Sequence, residues 1–571
     1  MAVHGIDLGT TNSAIAWIGK DGRPEVLAGL SGEPTTPSVV LFAGPQEYVV
    51  CEGARREARL DPEHVCALVK RRMGDAEWRF VAHGTAWSAP AVSSLILKSL
   101  VADAEFATGA EPTAAVITVP AYFGDEERRA TVLAGTYAGL DVVEVLSEPI
   151  AAALSYGFGR LDGGPTVPQE AGSETAGPKQ AGPSETVLVY DLGGGTFDAT
   201  VIELADRRIS VLAVEGDDQL GGTDWDERIA LYLSRRFCED NPHAEDPLDD
   251  SAGSQALVLT AERAKHQLTT AERTEVAVAH DGARSTVTLS RAELEDMTAP
   301  LLRRTLDLTR ACLDEAARRG VPAVNRVLLV GGSSRMPAVA DMLRRELQLD
   351  PQLHNPDLAV ARGAAIYGEK TELSRMVTAD LRSRGLLRDG DPLDDAVPVD
   401  LDSACRRVAE AFGAELAQVR RAVEIRVDTV VSRGFGVLAV NAQLGRLEVT
   451  WLVHRNDRLP IRTSRSFGTV RDDQRVIEVT VVEQQGQAES ARAQDAKVLI
   501  AGEITGIPPG YEGGSEVRVT FEMGFDGVLH VTAFHVDAGL PLVLTATTGA
   551  TLSQAEVARE RDQLGKQRRR E

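Results

Sequence analysis

With 571 residues, 43% of them hydrophobic, the chain is long enough to bury several cores and to form roughly three to four domains. Its formal net charge of -24 argues against nucleic acid and against an anionic membrane as the principal partner. Five cysteines (Cys51, Cys66, Cys238, Cys312, Cys405), odd in number and never spaced Cys-x-x-Cys, read as reduced thiols rather than a disulfide frame or zinc site; no secretory leader and no run of roughly 18 apolar residues is evident, so a cytoplasmic protein is expected.

In chain order, a short apolar strand over residues 3–6 delivers Asp7 into the turn Asp7-Leu8-Gly9-Thr10-Thr11, and residues 13–18 continue as a second strand. Lys70, Arg71 and Arg72 form a basic run that composition alone reads as a solvated helical face. Residues 161–185 are rich in Gly, Pro, Glu and Ser, the signature of a flexible surface insertion and a proteolysis site.

Residues 187–190 repeat the opening design, delivering Asp191 into Asp191-Leu192-Gly193-Gly194-Gly195-Thr196 before another apolar strand over 197–202. Glycines let the backbone pass close to an anion, and Thr hydroxyls with free N–H groups point at phosphate oxygens. An Asp in such a loop repels phosphate unless a cation intervenes. Each loop therefore implies Mg²⁺, held through water because that ion gives up its hydration reluctantly. A single loop of this kind reads equally well as a Gly-Thr turn joining two hairpin strands. The pair reads as two halves of one phosphate clamp. No Gly-x-x-x-x-Gly-Lys-Ser/Thr loop is present, so a P-loop is not the reading.

Glu262, Arg263, Lys265 and Thr269 lie on a predicted helix whose spacing puts Glu262, Lys265 and Thr269 on one face. His266 reads as a partly exposed surface histidine. Residues 327–330 form a buried-type strand that runs into Gly331-Gly332-Ser333-Ser334-Arg335-Met336-Pro337, a glycine turn opening a helix. The glycines let a flat ring lie on the backbone and Arg335 can stack on it. A low-hydrophobicity run, 386–395, follows a helix containing 363–375. Over 400–423, Leu401, Cys405, Val408, Phe412, Leu416 and Val419 recur at helical spacing, predicting a helix or helix pair that packs on a neighbour. From about Val423 the period becomes two. Segments 423–427, 446–450, 476–482, 497–500, 516–521 and 529–533 read as strands, with Asp526-Gly527-Val528-Leu529 as a hairpin turn, and together they suggest a β-sandwich.

The two Asp-Gly-Thr hairpins and the late Gly-Gly-Ser-x-Arg turn resemble the actin-like ATPase superfamily, in which two lobes close on ATP. Within it the chain is similar to the DnaK-type 70-kDa heat-shock chaperones: residues 7–13, 116–123, 148–157, 191–198, 220–226 and 330–337 match nearly residue for residue. The resemblance implies an α/β two-lobed ATPase domain over 1–370 carrying the 161–185 insertion, and an extended linker with an amphipathic helix over 371–423. A β-sandwich substrate domain over 424–550 and a short helical lid remnant over 551–571 follow, the lid itself being essentially absent. It also implies ATP or ADP with Mg²⁺, and allows K⁺. Asp7 and Asp191 then hold the Mg²⁺ water shell. Thr10, Thr11, Asn12, Gly193, Gly194, Gly195 and Thr196 cradle phosphates. Lys70, Glu148, Asp198 and Thr196 are the catalytic set, Glu148 and Asp198 positioning the attacking water, in a mechanism of positioning and charge neutralisation. Glu262, Lys265 and Thr269 face Gly331, Gly332, Ser333 and Arg335 across the adenosine.

In the C-terminal half the segments 456–460, 467–470 and 521–533 resemble the family's peptide-binding domain, which holds an extended peptide by backbone hydrogen bonds and one apolar pocket. Carried across, Val437, Ala439, Phe467, Ile477 and Val479 line the pocket, with Val440 and Val470 arching over the peptide; alternating apolar residues of this kind equally describe sandwich core. Three departures bear on mechanism. The short lid remnant implies fast peptide release. The family's short Leu-rich interdomain linker is replaced by the long region 371–423, and residues 426–431 are only a faint echo of it. Val132 and Glu144 stand where relatives use basic residues, so dependence on a J-domain protein is expected to be weak or altered. The region 74–113 is short for the family, which implies nucleotide exchange without a dedicated release factor. The favoured reading is an ATP-dependent chaperone for unfolded, extended apolar segments. The alternative is a nucleotide-gated adaptor or scaffold with slow or vestigial ATPase. A sugar kinase has no place for the β-rich half.

Overall fold

The computed structural model of the full chain describes every residue except 1, 30, 31, 59, 162–183, 206, 442, 487, 525–528, 546–553 and 571. Almost all of the expected 161–185 insertion, the hairpin turn at 526–528 and the start of the expected lid remnant lie outside the described residues.

Two mixed sheets of one design organise the N-terminal part. In the first, His4–Asp7 lies parallel to Ala114–Val119 and antiparallel to Asn12–Ile18. In the second, Glu185–Leu192 lies parallel to Arg326–Val330 and antiparallel to Phe197–Ala205, with Arg208–Asp217 beyond. The central strands are apolar on both faces because helices cover both sides; Ala114–Val119 is buried throughout. The helices Glu148–Leu161 and Ala359–Ser383 cross between the sheets and join them through one core, with Ile150, Leu154, Val189, Leu328 and Val360 among its members. Their contact is backbone to backbone: a Cβ on Gly363 would fall 1.7 Å from the Ala151 carbonyl oxygen, so only glycine fits.

Helix Ala359–Ser383 runs well past residue 371. Pro398–Phe412 and Leu416–Glu424 are the expected helix pair, and they pack on its C-terminal turns around Leu373, Val377, Leu381, Cys405, Val408, Val419 and Val423. Phe412 stays outside at 40% exposure. The strand predicted over 423–427 is corrected: Val423 and Glu424 belong to the helix, because Val423 closes this small core, and only Arg426–Asp428 is extended. That strand joins the second lobe's sheet, parallel to Arg208–Asp217, and not the sandwich.

The C-terminal half forms two four-stranded sheets, Arg446–Val453, Phe435–Asn441, Ile477–Gln484, Ala496–Ile504 and Ile461–Gly468, Glu516–Met523, Leu529–His535, Leu540–Thr545. Their inner faces share one core, including Val453, Val481, Phe521 and Val531. Helix Gln554–Lys566 docks on the first lobe, where Leu564 enters the core and the Glu560 carboxylate accepts hydrogen bonds from Ser88 N (3.1 Å), Ser88 Oγ (2.8 Å) and Tyr137 Oη (3.1 Å). No helix among the described residues is long and apolar enough to cross a membrane.

Candidate functional site

The two Asp-tipped hairpins meet at a cavity of about 650 Å³ between the lobes. Asp7, Thr10, Thr11, Asn12, Lys70, Glu148, Asp191, Gly193, Gly194 and Thr196 line one end; Glu262, Lys265, Thr269, Gly331, Gly332, Ser333 and Arg335 line the other. Gly195 and Asp198 stand behind the wall. The hairpins touch: a Cβ on Gly194 would fall 2.3 Å from Thr11 Oγ1, and one on Gly195 would fall 2.3 Å from Thr10 Cγ2. Any side chain there forces the loops apart. The third turn closes on the second, with Gly331 at φ 77 against Asp191 and Leu192, and Leu192 N donating to Ser334 Oγ at 3.2 Å.

Lys70 departs from the solvated face that composition alone suggests. It sits in a short 3₁₀ turn, Val69–Arg72, is 4% exposed, and its Nζ donates to Glu148 Oε1 at 2.5 Å. The cleft supplies the reason: Glu148, Asp191 and Asp198 are buried and Asp7 is half-buried around this ammonium, and a buried charge needs a partner. Burial and the Glu148 charge push Asp7 up to about 7, and Lys70 pulls against them. The same two causes push Asp198 up to about 8. Asp191 is raised well above the ordinary carboxylate range by burial, Glu148, Asp198 and Asp7. Such an excess of buried negative charge, with oxygen-only donors, fits a hard divalent cation. Among the described residues no three His, Cys, Asp or Glu side chains form a group that could hold a metal ion directly.

Asp198 has a further tie. Its Oδ1 accepts from Tyr122 N at 3.2 Å, and the Tyr122 ring contacts two guanidinium groups of the C-terminal half, Arg433 at 5.2 Å and Arg455 at 4.9 Å. Tyr122 Oη donates to the Gly486 carbonyl at 2.9 Å, and Arg455 pairs with Glu215 at 2.9 Å. The sandwich is thereby docked on the wall of the cleft.

At the other end, Lys265 Nζ is committed within its own lobe to Asp226 Oδ2 and the Gly222 carbonyl, each at 2.8 Å. Glu262 pairs with Arg55 across the mouth, and Arg335 pairs with Asp357. His266 is exposed at the rim. The site also holds residues that sequence reasoning left out. Thr223 and Asp226 line the cavity with Thr223 Oγ1 and Asp226 Oδ1 unpartnered. Both lie in the matched segment 220–226, which was the available signal. Arg71 bridges the lobes, donating from Nε to the Gly195 carbonyl at 2.9 Å and from Nη2 to Asp224 at 2.6 Å.

In the sandwich, Val437, Ile477 and Val479 are buried in the inter-sheet core, Phe467 packs at its margin and Ala439 is half-buried. Val440 and Val470 stand exposed. Glu144 lies in a cavity of about 80 Å³ with Arg128, Tyr367, Val427 and Thr429, beneath the chain that enters the sandwich.

The sequence model described as Hsp70 protein matches residues 3–83, 75–381 and 418–571. The chain is 33% identical to the chaperone protein DnaK of Thermotoga petrophila over 568 residues, 98% of this chain and 82% of that protein. The DnaK of Thermotoga maritima gives the same identity and coverage. Two Asp-tipped hairpins interlocked across a cleft, a sandwich docked against its wall, and a match running nearly end to end lead to one assignment: the chain belongs to the Hsp70 family.

Proposed function

We propose that this chain is an ATP-dependent chaperone that hydrolyses ATP to ADP and phosphate in the inter-lobe cleft and uses the nucleotide state to set how tightly its sandwich holds extended apolar peptide. The observation that carries this reading is the convergence of both Asp-Gly-Thr turns, Lys70 and Glu148 on one cavity beside Asp198. Asp7 and Asp191 would hold hydrated Mg²⁺, whose charge offsets the phosphates. Thr10, Thr11, Asn12 and Gly193, Gly194, Gly195 with Thr196 orient the phosphate chain. Lys70 neutralises charge at the transferring phosphoryl group, and Glu148 with Asp198 orients the attacking water. Glu262, Lys265, Thr269, Gly331, Gly332, Ser333 and Arg335 receive the nucleoside.

The ATPase unit spans 1–370 in this reading, the sandwich 424–550, and peptide binds over Val440 and Val470. Burial of Val437, Ile477 and Val479 in the inter-sheet core favours, for those three, a supporting rather than a contacting role. A J-domain protein and an exchange factor are family partners; Val132 and Glu144 argue for weak J-domain dependence here. A cytoplasmic location agrees with the family. The deciding experiment is the dissociation rate of a labelled Leu-rich peptide with and without Mg-ATP. Acceleration by ATP supports the chaperone, whereas ATP-insensitive binding, or none, supports the adaptor with slow turnover.

A further inference from the structure

Residues 382–417 fall between the stretches that the Hsp70 sequence model matches. They are nonetheless folded, and they lead directly into the strand Arg426–Asp428 that joins the second lobe's sheet. We propose that this helical unit is a strap that keeps the Arg426–Asp428 strand docked on the second lobe whether the cleft holds ATP, ADP or nothing. Nucleotide then acts on the sandwich through the chain beyond Asp428 and the domain interface, not through release of this strand.

The strap shares one core with the C-terminal turns of helix Ala359–Ser383, so it is a packed unit and not a tether. It is anchored at several points away from the cleft. Gln418 bonds to Glu369 and Arg407 to Asp380, both on helix Ala359–Ser383. The Arg421 guanidinium lies 4.8 Å over the Phe158 ring of helix Glu148–Leu161. Gln418 also packs on the Gly22 turn of the first lobe. The strap therefore sits on the two crossing helices that join the lobes.

From this base the chain enters the strand with only Ile425, 3% exposed, between helix and strand. Arg426 N donates to the Arg207 carbonyl at 2.8 Å, and its side chain pairs with Asp394 of the strap, Nε to Oδ2 at 3.0 Å. Glu424 pairs with Arg207. Asp428 accepts from Arg208 Nη1 and Ser210 Oγ, each at 3.1 Å. A three-residue strand on a flexible linker must be ordered afresh at each docking; one that continues a packed helix is already ordered and meets its edge at a high effective concentration. Leaving the sheet requires unpacking Val419 and Val423 as well.

Hydrogen exchange on the full chain tests this. Amides of residues 426–428 are expected to exchange at rates within about threefold of one another without nucleotide, with ADP and with ATP. Two variants loosen the strap by different routes: Val419→Asp charges its core, and a short Gly-Ser stretch in place of residues 386–415 removes it. In either, the strand amides should exchange at least about tenfold faster without ATP, while amides of Glu516–Met523 keep their protection and report an intact sandwich. Wild-type loss of protection on replacing ATP by ADP overturns the proposal, as does unchanged protection in both variants. The nucleotide-free comparison stands even if no nucleotide binds, so failure of the ATPase reading is distinguishable from failure of the strap.

Discussion

Lys70→Ala removes the one ammonium placed among Asp7, Glu148, Asp191 and Asp198. Its Nζ is held by Glu148 at the end of the cavity where the two Asp-tipped turns meet, 4% of the residue is exposed, and Phe123 lies 5.9 Å beneath it. Loss of one preorganised donor from a water-poor site typically costs about 10²–10³ in turnover, or about 2.7–4 kcal/mol. Leaving the Glu148 carboxylate buried without its partner costs about 3–5 kcal/mol of stability, so the melting temperature of the variant is read beside its activity. Nucleotide affinity should change by less than about tenfold, since the glycine turns and the nucleoside end are untouched. The assay is single-turnover release of phosphate from ATP, run beside equilibrium titration with a fluorescent nucleotide. Thr196→Ala should behave alike. Hydrolysis within about threefold of wild type in the Lys70 variant refutes the catalytic assignment.

Asp198 and Asp7, raised to about 8 and about 7, bind protons more tightly folded than unfolded. Their contribution to stability is complete below the ordinary carboxylate range and is lost as pH rises through about 7 to 8, so Asp198→Asn should raise the ligand-free Tm at about pH 8.5 while lowering hydrolysis; an unchanged Tm across that window contradicts the burial argument. The Arg55–Glu262 pair spans the cavity mouth with side chains 30% and 20% exposed, so Arg55→Ala should speed nucleotide release by up to about fivefold, the equivalent of about 1 kcal/mol, in a stopped-flow chase. Arg455→Ala strands Glu215, removes one of the two guanidinium contacts to the Tyr122 ring and should undock the C-terminal half. Small-angle scattering should show a larger radius of gyration, and an unchanged one counts against this interface.

The end of the cavity where the two Asp-tipped turns meet was legible as a pair of turns because each is local in sequence. An Asp, one glycine or three, and a Thr within six residues carry the turn and the charge requirement together, and the motif occurs twice. The opposite end was legible only in part, since Glu262, Lys265 and Thr269 share a helix face by spacing, but nothing in the spacing shows that Lys265 donates to Asp226 and the Gly222 carbonyl. The sandwich strands with strict alternation, such as Glu516–Met523, were readable. Ile461–Gly468, polar at Arg462, Ser464, Arg465 and Ser466, was not readable as a strand, because its pairing with Glu516–Met523 defines it more than its own pattern.

Local pattern by itself determined the two hairpins, the glycine turn, the helix pair after residue 397 and the β character of the C-terminal half, because each depends on residues a few positions apart. Only the tertiary structure decided that Lys70 is buried, that the Arg426–Asp428 strand belongs to the second lobe, and that Tyr122 links Asp198 to Arg433 and Arg455. Those are outcomes of charge pairing and strand addition between segments from 76 to more than 300 residues apart, where a lysine or a three-residue extended stretch carries no local mark of its partner.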